Sequence, residues 1–162
     1  GIMYKKNIYS FILFFCNSAL LSLSQTNPQH NSASSSYYTQ KAWNALINGH
    51  FEEVHQYADI CIKKYSKTAK KQQRSIKCFP APENATKFQE LNDVATALFL
   101  KERAFYIRGE NKKAKEAFEE IIRSYSFALC WDPEKEWHWK VAEAAKDHII
   151  LMELAHIIHE RI

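Results

Sequence analysis

Six carboxylates, Glu52, Glu53, Asp93, Glu102, Asp132 and Glu143, are the side chains best suited to acid–base work in this chain. Two such groups held ~5–10 Å apart across a glycosidic bond can hydrolyse it, one as acid and the other as base or nucleophile. Each also has a structural reading. Glu52 and Glu53 open a helix, where negative charge favours the dipole, and Asp132 stands where it can cap one. Glu102 faces the seam between two repeats. Acid and base must share a cleft and have separated pKa values, and the spacing sets no pair apart in that way.

Metal and nucleophile chemistry is signposted no better. His148, His156 and His159 fall near Glu153 and Glu160 at helical spacings, but HExxH is absent, so packed or surface histidines are expected. G-x-S-x-G is missing, and three glycines cannot build a phosphate-binding loop. No CxxC occurs. The expectation is therefore no catalytic residue, no metal ligand and no cofactor.

Two clusters invite a binding reading. Trp131, Trp137 and Trp139 crowd together near Phe127, as core filling between a hairpin and a closing helix or as a sugar-stacking platform. Lys63, Lys67, Lys70, Lys71 and Arg74 recur at i, i+4, i+7, i+8 and i+11 with no acid between 63 and 77. Such a stripe suits a helix C-terminus and a solvated face, and alternatively contacts an anionic surface.

The elements that position these residues are helices. Val54, Ala58, Cys61, Ile62 and Tyr65 form one apolar stripe, and Ala114, Ala117, Phe118, Ile121, Ile122 and Tyr125 form another. The two coincide when the chain is shifted by 60 residues, which also lays Gly49 on Gly109 and Ile47 on Ile107. Each glycine sits where a preceding helix must end in a left-handed residue. Helices are predicted over about 37–48, 51–74, 85–108, 111–126 and 134–160. Pro80 and Pro82 interrupt the middle, and Asp132-Pro133 starts the last helix. Its packing face is predicted as Val141, Ala144, Ala145, His148, Leu151, Met152 and Ala155.

Residues 1–24 read as a cleaved signal peptide. Lys5 and Lys6 follow Met3, Ile8 to Leu23 is mainly apolar, and Ser22-Leu23-Ser24 precedes cleavage near Gln25. An exported protein, periplasmic or secreted, is expected. Residues 25–36 read as a flexible Ser-rich lead-in, and 37–162 as the helical domain. Without residues 1–24 the chain carries 20 basic and 18 acidic side chains, too near neutrality to indicate nucleic acid. Cys61 should be buried, whereas Cys78 and Cys130 lie in loops and are expected to pair.

The pattern over 38–65 and 98–125 resembles the tetratricopeptide repeat (TPR). Asn92 to Thr96, Lys113 to Ala117, Ser124 to Ala128, Cys130 to Pro133 and Trp139 to Lys146 are similar to a group of bacterial exported TPR-like proteins. The chain departs from these patterns in its 60-residue repeat, in Glu102 at a small-residue position, in lacking a closing proline, and in Glu134-Lys135-Glu136 after Pro133. The resemblance implies an all-α, TPR-like right-handed superhelix of two hairpins plus a C-terminal capping helix. It implies a protein–protein interaction scaffold, with a peptide or protein partner on the concave face. The matching positions are Thr39, Trp43, Leu46, Ile47, Thr96, Phe99, Arg103, Tyr106 and Ile107. The alternative is an accessory or degenerate carbohydrate-active protein that binds sugar through the three tryptophans.

Overall fold

A computed structural model describes residues 33–132 and 135–161. The expected signal peptide, its cleavage near Gln25 and most of the lead-in lie outside these residues. Helix α1 spans Ser35–Ile47 and α2 spans Phe51–Ser75. A 3-10 segment, Pro82–Phe88, runs directly into α3, Gln89–Ile107, which is followed by α4, Asn111–Ser124. Strands β1 (Leu129–Asp132) and β2 (Trp137–Lys140) form a hairpin before α5, Val141–Glu160. The described chain is mostly helical, with little sheet.

The repeat is plain at the two turns. Helices α1 and α3 end at Ile47 and Ile107, and α2 and α4 begin at Phe51 and Asn111. Gly49 (φ 73°) and Gly109 (φ 79°) take the left-handed conformation. Gly49 N–H donates to Leu46 O at 3.1 Å and His50 N–H to Ala45 O at 2.8 Å; the equivalent bonds from Gly109 and Glu110 are 3.0 and 2.9 Å. Both turns are Schellman caps that satisfy the last carbonyls of the helix.

Helix α1 packs on α2 and α3, α3 also packs on α2 and α4, and α5 lies mainly on α4. Helix α3 is central: Leu91 to Leu100 are all buried, because neighbours surround it on several sides. Two polar residues in this run fasten the surrounding elements. Asn92 donates to Ala85 O at 3.0 Å and accepts Leu129 N–H at 2.9 Å, tying the 3-10 segment to β1. Asp93 accepts from Ser35 (2.6 Å), Ser36 (2.9 Å), Gln89 (3.0 Å) and Thr39 (3.4 Å). A carboxylate at the positive end of α1 is thus held by that helix's own hydroxyls.

These bonds correct the lead-in. Ser34 caps α1 by accepting Tyr37 N–H, Ser35 is buried, and 33–36 belong to the fold rather than to a flexible tether. A second correction concerns 135–140. The last helix starts at Val141, and the preceding residues build the antiparallel hairpin, with Cys130 opposite Trp139 and Trp131 opposite His138. Aromatic side chains at alternate positions favour a pleated strand, and Glu136 (φ 51°) supplies the left-handed residue that closes the turn. Asp132 does not cap a helix; it accepts Lys135 N–H at 3.2 Å and faces Trp137 Nε1 at 3.4 Å.

Candidate interaction surface

The nine residues expected on a concave binding face are not presented as one. Thr39, Leu46, Thr96, Phe99 and Arg103 are buried, and Trp43, Ile47, Tyr106 and Ile107 are half-buried. Thr39 and Leu46 are covered by α2 and α3, and Thr96, Phe99 and Arg103 by the hairpin and α5. Phe99 meets Trp139 at 5.4 Å, His148 at 5.4 Å and Phe118 at 6.1 Å between ring centroids. Thr39 and Thr96 turn their hydroxyls back to Ser36 O and Asn92 O, at 3.0 and 2.8 Å.

Arg103 reaches His148, with Nη1 2.8 Å from Nδ1, and its guanidinium lies 5.9 Å from the Tyr106 ring centroid. A guanidinium only donates, so Nδ1 accepts and the imidazole proton sits on Nε2. Burial, aided by the Arg103 charge, pushes His148 down to about 4, which leaves it neutral near pH 7. Next to Arg103 in sequence, Glu102 is fully buried, and neither carboxylate oxygen has a hydrogen-bond partner among the described residues. Burial pushes this carboxyl well above its usual value, opposed by Arg103, and favours the neutral acid. His55 is similar in kind: its ring stacks 4.3 Å from Phe105, and burial lowers its pKa. Perturbed groups of this sort mark active sites when they line a cleft. Here Glu102 is sealed within the packed helices. Among the described residues no group of three or more His, Cys, Asp or Glu is disposed to hold a metal ion.

The expected Cys78–Cys130 bond is not formed; Cys61, Cys78 and Cys130 are free thiols. Cys130 points at Thr96 Oγ1 (3.4 Å), and burial pushes its thiol up to about 12, as it does for Cys61. The tryptophans divide. Trp139 packs beneath Phe99, whereas Trp131 and Trp137 are 50% and 49% exposed. Strand alternation places Trp131 with His138 on one face of the hairpin and Trp137 with Asp132 on the other, so the two exposed indoles form no common platform. All five residues of the basic stripe, Lys63, Lys67, Lys70, Lys71 and Arg74, are exposed on α2, and Lys70 pairs with Glu120 at 3.7 Å.

The largest unpartnered apolar feature is on α5. Its inner face, with Val141, Ala145, Ile149 and Met152, packs against the core. On its outer face Ile150, Leu151, Leu154, Ile157 and Ile158 are exposed by 54, 50, 50, 44 and 60%. Leu151, expected to pack inward, belongs to this outer set. Five large aliphatic side chains on one helix face form a contiguous patch of the kind that marks an interaction site. Sequence periodicity gave an incomplete signal, because a helix apolar on two opposite faces has no single stripe to follow. Among the described residues no helix is long and apolar enough to cross a membrane. Comparison with protein-family models, with curated proteins and with solved structures finds no match to this chain.

Proposed function

We propose that this chain is a protein-binding scaffold: two TPR-like hairpins in a right-handed superhelix, closed by α5, which docks a protein through α5's outer face. The observation that carries this reading is the row of half-exposed isoleucines and leucines on that face. The 60-residue repeat, the paired Schellman turns and the succession of helix contacts support the TPR-like arrangement. An exported location is proposed from the character of residues 1–24. The docking face is thus the outside of the closing helix rather than the concave side. Sugar binding has less support, since Trp139 is half-buried against Phe99 and the other two indoles lie on opposite faces.

Capture from a native envelope extract tests this. The intact chain and a Leu154→Glu/Ile158→Glu variant, matched in helicity and melting temperature, would be used as baits and the bound proteins compared by mass spectrometry. Proteins retained by the first and lost by the second are expected. Identical sets on both baits would overturn the assignment of this face.

A further inference from the structure

The identity of the occupant follows from the order of residues along α5, given that its outer face is an interface. We propose that this face pairs with the same face of a second copy of the chain, antiparallel and centred on Leu154.

The row is symmetric about that residue. Leu151 and Ile157 stand three positions to either side of Leu154, Ile150 and Ile158 four, and Asp147 and Arg161 seven. At 100° per residue, these seven positions fall within an arc of about 120°. A two-fold axis through Leu154 lays this residue on its counterpart, Ile150 on Ile158 and Leu151 on Ile157. It also sets Asp147 opposite Arg161 at both ends. An isologous interface requires this self-complementarity, with each pairing occurring twice. A parallel pair would place Asp147 against Asp147 and Arg161 against Arg161, with repulsion at both ends.

The remaining charges on the helix argue for the same occupant. Glu153 is engaged by Lys115 at 3.2 Å and Glu160 by His156 at 3.1 Å. Against Glu143, Asp147, Glu153 and Glu160, the helix carries only Lys140 at its start, Lys146 and Arg161 as fixed cations. It lacks the cationic excess that draws an amphipathic helix to anionic lipid. Five half-exposed aliphatic side chains per copy give a small interface, of the size of transient pairs, so dissociation at roughly micromolar concentration is expected.

Sedimentation equilibrium on the full chain tests the pairing. The weight-average mass should approach twice the monomer mass at about 100 μM, well above the expected dissociation constant. Leu154→Glu should halve that mass with helicity unchanged. Arg161→Asp, which leaves four acids facing one another, should weaken the dimer several-fold, and adding Asp147→Arg should restore it. A monomer at every concentration overturns the inference, as does a dimer indifferent to Leu154→Glu or to the charge swap. Two alternative occupants give distinct results. A monomer that still loses envelope proteins on Leu154→Glu/Ile158→Glu has a different protein on the face, and the proposed function stands. A monomer whose α5 amides lose protection when residues 1–32 are removed has its own apolar N-terminal segment there. If neither a second copy nor any other protein depends on the face, the proposed function fails as well.

Discussion

Glu102 and His148 put opposite pH dependences into the same core. Burial raises the Glu102 pKa, so the folded state keeps a proton that the unfolded chain releases above its ordinary value. Its contribution to stability therefore falls as pH rises from that value toward the raised one. Burial lowers His148 to about 4, so between about 4 and 6.5 the unfolded chain binds a proton that the folded state excludes. Stability is then lost as pH falls through that window, by about 3 kcal/mol as an upper limit. We expect Glu102→Met, which removes an unsatisfied buried carboxyl, to raise the melting temperature at pH 8 more than at pH 5. His148→Gln, which keeps an acceptor for Arg103, should flatten the loss between pH 6.5 and 4. Melting curves parallel to those of the unmodified chain across both windows would contradict these assignments. Glu102 was legible in the sequence as an acid at a small-residue position. Its lack of partners was not, because that depends on what α3 meets after folding.

The helices divide into those that local chemistry specifies and those that tertiary contacts decide. Gly49 and Gly109 mark their turns because only glycine takes φ near +75° cheaply, and the 60-residue shift then places four helix ends. The start of α1 was missed by two residues, since Ser35 and Ser36 are polar in sequence but acquire Asp93 as a partner 57–58 residues away. The hairpin was missed because Asp132-Pro133 reads in sequence as a helix start, and Trp137 to Lys140 become a strand only by pairing with β1. Two substitutions separate the local terms. Gly109→Ala should destabilise by about 1–2 kcal/mol. No atom lies within 4 Å of a Cβ built there, so that loss comes from φ and not from a clash. Glu136→Gly should stabilise by a few tenths to about 1 kcal/mol, because it relieves a left-handed non-glycine residue. Chemical denaturation measures both, and a neutral Gly109→Ala would contradict the strained-turn account.

On the scale of the molecule, α5 joins the two halves of the problem. Its inner face closes the second hairpin over Phe99, Phe118 and Arg103, which withdraws Phe99 and Arg103 of the expected concave surface from solvent. Its outer face leaves aliphatic side chains in water and is the face proposed to dock. The concave residues were legible as a set on the first helices of the hairpins, but the burial of Phe99 and Arg103 depends on His148 of α5, far along the chain and beyond the reach of local periodicity. Cross-linking at the two-fold axis tests the α5 pairing most directly. In a Cys16→Ser/Cys78→Ser background, Leu154→Cys should form a disulfide-linked dimer on mild oxidation. Ile150→Cys alone should not, whereas Ile150→Cys mixed with Ile158→Cys should link to each other. Self-linkage of Ile150→Cys as efficient as that of Leu154→Cys, or no linkage from Leu154→Cys, would contradict the antiparallel pairing.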